Sequence, residues 1–113
     1  MTSEAVAELV RKQIAGRWDT TNAHRVDLNR CLVPPVRIPV VATLQGPNGS
    51  AQASTVKDVW LVLEEEPETK DGYKIVYEED ADTFGLACEG LPTESYLVYL
   101  GSYGDFMTTL GAM

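Results

Sequence analysis

The sequence predicts an α+β fold in which an N-terminal helix and a short C-terminal helix flank a five-stranded antiparallel meander. Apolar residues recur at helical spacing only near the two ends of the chain. Between these ends, hydropathy alternates with a period of two, as it does along strands. The connections between the strands are too short for a helical crossover, so neighbouring strands should run antiparallel. A length of 113 residues suits one domain spanning residues 1–113.

The first predicted element is a helix over residues 4–15, with Thr2 or Ser3 as its cap and Gly16 as its left-handed end. Residues 19–35 are expected to form mostly loop, with a short turn around Leu28 to Leu32. The apolar stripe of the helix consists of Ala5, Val6, Leu9, Val10 and Ile14.

Five strands and a final helix are predicted after this loop. Pro39 has no backbone donor, so the first strand should lie at a sheet edge. Asp71-Gly72 and residues 79–82 are predicted hairpin connections, and Gly46 to Ser50 is the strongest turn cluster. Asp105 is the expected cap of the last helix. The strands span about 36–45, 55–64, 73–78, 83–89 and 95–101, and the helix about 105–112.

Side-chain alternation divides the sheet into two apolar faces. The face expected under the helices carries Val59, Leu61, Leu63, Tyr73, Ile75, Tyr77, Phe84, Leu86 and Cys88. The opposite face carries Trp60, Val62, Val76, Ala87 and either Leu97 with Tyr99 or Val98 with Leu100. A solvated face should be polar, so this one needs cover from the chain itself, a second copy or a partner. We expect Trp60 to lie partly at a surface used for association.

Acidic residues are concentrated in one part of the chain. Residues 64–82 carry nine carboxylates and two lysines, a net charge of −7, while the whole chain carries −8. In a meander they would rim both ends of the sheet, roughly 20 Å apart. They either keep the protein soluble or steer a basic protein towards it, and they argue against nucleic acid and membrane as partners. The candidate partner-binding residues are Trp60, Val62, Glu64, Glu65, Glu66, Glu68, Asp71, Glu78, Glu79, Asp80 and Asp82.

The sequence predicts no catalytic residue, no metal site and no cofactor. His24 is the one histidine, and neither Cys31 nor Cys88 belongs to a CxxC pair, so zinc and Cys–His sites lack their usual spacing. No phosphate-binding loop is present, since Gly46-Pro47-Asn48-Gly49 lacks a lysine and a following helix. Without a basic and apolar leader after Met1, we expect a cytosolic protein with reduced thiols.

The second half of the chain carries the patterns Val59-Trp60-Leu61-Val62-Leu63, Gly72-Tyr73-Lys74-Ile75-Val76-Tyr77, Phe84-Gly85-Leu86-Ala87 and Tyr103-Gly104-Asp105-Phe106. Over about residues 55–113 it resembles small uncharacterised bacterial proteins, some of which look like immunity proteins, the antidotes carried beside bacterial toxins. The resemblance implies a protein partner, and it carries over no catalytic residue because these patterns are strands, turns and a helix cap.

The sequence therefore predicts a non-enzymatic domain that binds a protein, in the manner of an antidote that occludes a basic partner. The alternative is a small-ligand-binding or enzymatic domain with a pocket between helix and sheet, lined by Tyr73, Tyr77, Tyr96 or Tyr99. Self-association into a homo-oligomer is a third interpretation, which solution mass would separate from the others.

Overall fold

A computed structural model describes residues 1–45, 51–89 and 97–113. It confirms the α+β class, with an N-terminal helix, a five-stranded meander and a short C-terminal helix. A four-residue helix, α2, forms where a turn was expected. The predicted turn at Gly46 to Ser50 lies outside the described residues. In order, the elements are α1 (Ser3–Ile14), α2 (Leu28–Cys31), β1 (Leu32–Gln45), β2 (Ala51–Glu66), β3 (Asp71–Glu78), β4 (Thr83–Glu89), β5 (Leu97–Gly104) and α3 (Phe106–Ala112).

Both terminal helices begin at the predicted caps. Thr2 Oγ1 accepts a hydrogen bond from the amide of Ala5 at 3.1 Å, and Asp105 Oδ1 accepts one from Thr108 at 2.7 Å. These bonds satisfy amides that have no partner within the first helical turn. Gln13 joins the two helices, because its side-chain oxygen accepts a bond from the amide of Phe106 at 2.6 Å.

The sheet closes on itself, which the sequence did not predict. β1 to β5 pair in order as an antiparallel meander, and β5 then pairs in parallel with β1 to complete a barrel. This last pairing joins Val40 to Leu97 and Val41 to Val98. β1 is therefore not the free edge strand that Pro39 suggested.

The β2–β3 hairpin turns earlier than the sequence suggested. Asp71 and Gly72 belong to β3, and the turn is closed by the amide of Lys70, which donates to the carbonyl of Glu66 at 2.7 Å. The predicted connection at residues 79–82 is confirmed, since β3 ends at Glu78 and β4 begins at Thr83.

Apolar residues are buried on both surfaces of the barrel. The outer cluster packs beneath the helices, and the inner cluster fills the closed sheet. From the strands, the outer cluster contains Trp60, Val62, Leu63, Ile75, Tyr77, Phe84 and Leu86. The inner cluster contains Val40, Val59, Leu61, Val76 and Ala87, with Leu97 and Tyr99 packed against it.

The predicted face is correct for the buried residues of β3 and β4 and for Leu63 of β2, but wrong for Val59 and Leu61. Trp60 pairs directly with Tyr77, so the two side chains share the helix-covered surface, and Leu61 points inward. An irregularity between Leu61 and Leu63 then returns Leu63 to the outer cluster. The sequence alone does not reveal this extra residue.

The expected exposure of Trp60 and Val62 was also wrong. Trp60 is 7% exposed and Val62 is 1% exposed, both within the cluster that the helices cover. The indole Nε1 of Trp60 donates to Glu79 at 3.4 Å, and the Arg37 guanidinium lies 5.4 Å from the ring centroid. Internal packing therefore covers this face of β2.

Candidate functional site

The acidic residues divide between the two ends of β3, as the meander predicted. β3 has eight residues, so the two groups lie roughly 25 Å apart along the strand. We call them the Glu64 end and the Glu78 end. The Glu64 end comprises Glu64, Glu65, Glu66, Glu68 and Asp71, and the Glu78 end comprises Glu78, Glu79, Asp80 and Asp82 together with Asp58 of β2.

Basic side chains from distant parts of the chain pair with carboxylates at the Glu64 end. The Arg30 guanidinium lies 2.9 Å from Glu68 and 4.0 Å from Glu66. His24 Nδ1 lies 2.7 Å from Glu65, and Lys70 Nζ lies 3.4 Å from Glu64. Much of the negative charge at this end is therefore engaged within the chain.

Glu65 does not occupy the solvated turn that its charge suggested. One carboxylate oxygen accepts the amide of Tyr73 at 3.0 Å, and the other contacts His24. Gly72 has a φ of 80° and lies against this carboxylate, where a side chain would collide with it. Glu65 therefore fastens the loop before α2 to the β2–β3 hairpin.

The Glu78 end forms a concavity of about 480 Å³ beside the β3–β4 turn. Four carboxylates and two cations line it, which gives it a negative field. Lys57 lies 3.0 Å from Glu78, while Arg37 and Asp58 are 4.0 Å apart. The lining residues are Arg37, Val56, Lys57, Asp58, Glu78, Glu79, Asp80 and Ala81.

The carboxylates in this concavity differ in how freely they could contact a partner. Glu79 accepts a hydrogen bond from the N-terminal ammonium, which lowers its pKa, and the bond from Trp60 acts in the same direction. Asp80 is exposed and forms no ion pair with any described residue. Asp58 is 68% exposed in its side chain, and Val56 of the same wall is 60% exposed. A bound partner could therefore contact two acidic side chains, Asp58 and Asp80, and one apolar side chain, Val56.

Tyr73, Tyr77 and Tyr99, three of the tyrosines named in the alternative interpretation, lie in different surroundings. The rings of Tyr73 and His24 are tilted by 44° with their centroids 5.6 Å apart. The Tyr77 hydroxyl donates to Asp82 at 2.5 Å. The Tyr99 hydroxyl donates to Glu78 at 2.9 Å from inside the barrel. Tyr96 lies outside the described residues.

Alkaline pH should destabilise the protein through Tyr77 and Tyr99. Burial raises the pKa of each phenol to about 12, and the hydrogen bonds to Asp82 and Glu78 act in the same direction. Because an unfolded tyrosine ionises near pH 10, this contribution is complete below about pH 10 and is lost as the pH rises through about 12. Phenolate absorbance should show two tyrosines titrating late, and one fewer in Tyr77→Phe or Tyr99→Phe. Late titration that is unchanged in both variants would contradict this assignment.

A second, apolar concavity of about 300 Å³ lies between α1 and the first part of β1. Arg11 on its wall is bonded to Glu8 at 2.7 Å. The volume is at the lower limit for small-molecule pockets, and few polar groups converge there to orient a ligand. The lining residues are Ala7, Val10, Arg11, Trp18, Leu32, Val33, Pro34, Pro35 and Val62.

The thiols and the histidine are not arranged for nucleophilic catalysis. Cys31 is fully buried, and burial raises the pKa of its thiol, which disfavours the reactive thiolate. His24 is paired with Glu65. Cys31 and Cys88 are both free thiols. Across residues 1–45, 51–89 and 97–113, no group of three or more histidine, cysteine or acidic residues is placed to hold a metal ion.

No family model, curated protein or solved structure matches this chain in comparisons with known proteins. The described part of the chain contains no helix of the length and apolar character that a membrane span requires. The site is therefore interpreted from its own geometry.

Proposed function

We propose that this protein is a non-enzymatic binding domain whose Glu78-end concavity receives a basic segment of a partner protein. The observation that supports this best is the concavity itself, which combines about 480 Å³ of space with four carboxylates against two cations. The resemblance to immunity proteins gives the proposal a concrete form, an antidote that occludes a basic toxin surface.

The chemistry of the concavity suits steering followed by local contact. Exposed Asp58 and Asp80 would attract lysine or arginine side chains over a distance set by ionic strength. Exposed Val56 would then contact the apolar part of the bound segment. Carboxylates that already serve the fold, such as Glu78 and Glu79, would add to the field without changing their partners.

A lysine-rich peptide labelled with fluorescein would test this proposal by anisotropy. Asp58→Asn with Asp80→Asn should weaken binding about tenfold, because exposed charges contribute up to roughly 1 kcal/mol each. Glu66→Gln with Glu68→Gln removes the same charge at the other end and should have little effect. Equal losses in the two variants would show that only net charge matters, and an absence of binding to the parent protein would contradict the proposal.

A second candidate function is binding of a small apolar ligand between α1 and β1. The cleft of about 300 Å³ beside Trp18 favours it, since this is the helix–sheet position that the alternative interpretation required. Its scarcity of polar groups to orient a ligand makes it the weaker candidate.

A further inference from the structure

A third concavity, of about 240 Å³, opens at the Glu64 end of the barrel. Leu61 and Leu97 form part of its apolar wall, and both belong to the packing inside the barrel. Four charged side chains, two acidic and two basic, complete the lining: Glu64, Glu89, Lys70 and Lys74. We call this concavity the barrel mouth. It lies away from the acidic concavity at the Glu78 end.

Two of these charges are almost wholly buried. Glu64 is 4% exposed and Lys74 is 2% exposed. They stand directly opposite each other on β2 and β3, where opposite charges usually form an ion pair. Lys74 instead donates to the carbonyls of Lys70 at 2.7 Å and Gly72 at 3.2 Å. Among the described residues, no carboxylate lies within salt-bridge distance of its ammonium.

Glu64 is poorly compensated for so buried a charge. Its one contact with a described basic group is the 3.4 Å approach of Lys70 Nζ to Oε2, and the Lys70 side chain is 71% exposed. Burying a carboxylate is costly unless it is closely paired and hydrogen-bonded. A ligand that brought a second cationic donor to this carboxylate would offset part of this cost.

We propose that the barrel mouth binds a small zwitterion of the α-amino acid class with an apolar side chain. The ammonium would contact Glu64 and Glu89, the carboxylate would take the third N–H of Lys74 and one of Lys70, and the side chain would pack on Leu61 and Leu97. Two acids and two bases make the lining neutral, so it complements a ligand that carries both charges better than a simple cation or anion. The volume of about 240 Å³ limits the ligand to about the size of a single amino acid.

Binding of L-leucine would test this proposal, with isoamylamine and 4-methylpentanoate as analogues that each lack one charge. In ¹⁵N-resolved NMR spectra, L-leucine should give saturable shifts at the amides of Leu61, Lys74 and Leu97. Each analogue should bind at least about tenfold more weakly, the equivalent of one lost charged contact. No shift with L-leucine, or equal binding of either analogue, would overturn the assignment.

Variants add a second test. Glu64→Gln should weaken L-leucine binding about tenfold, while Glu66→Gln, an exposed glutamate on the same strand, should not. If Glu64→Gln fails to fold, the parent protein still gives an answer, because L-leucine should slow reductive methylation of Lys70, which is 71% exposed at the mouth, and leave exposed Lys12 on α1 unaffected. Unchanged methylation of Lys70 at saturating L-leucine would refute the site.

Discussion

Replacing Gly85 by alanine should destabilise the protein by about 1–3 kcal/mol, the usual cost of forcing an extra methyl group into a packed core. Gly85 lies in β4, where an added Cβ would collide with the carbonyl oxygen of Gly101 and with the ring and hydroxyl of Tyr99. The carbonyl belongs to the backbone of the neighbouring strand β5, so it cannot move without disturbing the pairing of β4 with β5. We therefore expect the upper part of this range.

Urea unfolding followed by circular dichroism would measure the loss. Gly111→Ala is the matched control, because an added Cβ there meets nothing within 4 Å. Alanine in helix α3 should raise stability by about 0.5–1 kcal/mol, because it lowers the conformational entropy of the unfolded chain and has the better helix propensity. A Gly85→Ala protein as stable as its parent would show that Tyr99 does not fill the barrel at this point.

The sequence predicted the elements of this fold well because each has a local signal. Apolar spacing identified α1, alternation identified the strands, and the short side chains of Thr2 and Asp105 identified two caps. Closure of the barrel has no such signal. Among residues 1–45, 51–89 and 97–113 it is seen in two residue pairs between β1 and β5, more than 50 positions apart in the chain, and any five-stranded meander could have stayed open.

The candidate site was predictable only in outline. Alternating turns placed the acid at two ends of the sheet, and the structure agrees. Which carboxylates are available depends on distant partners. Glu65 is held by His24, which is 41 positions away, and burial of Glu64 opposite Lys74 follows from the irregular register of β2. Sequence reasoning missed Asp58 because it lies outside the acidic run, although its charge next to Lys57 was visible.

Replacing both Trp60 and Val62 by serine should unfold the protein, contrary to what an exposed face would predict. Truncating a buried aromatic residue costs roughly 3–5 kcal/mol, a large share of the 5–15 kcal/mol that typically stabilises a domain. Val62 adds a further loss, since serine would bury a hydroxyl in the cluster beneath α1. The same strand offers a matched control in Val56, which is 60% exposed, so Val56→Ser should change stability by less than about 0.5 kcal/mol.

Circular dichroism and urea titration of the double variant and of Val56→Ser would separate burial from exposure. A double variant that unfolds cooperatively near the parent midpoint would contradict the burial of Trp60 and restore it as a candidate association residue. The expected unfolding has a consequence for mapping the binding site. A Trp60 variant would lose partner binding through damage to the core and not through loss of a contact. Trp60 also holds Glu79 at the wall of the acidic concavity, so its loss would disturb the site indirectly. The interface must therefore be mapped with Val56, Asp58 and Asp80, whose exposed side chains can change without loss of the core.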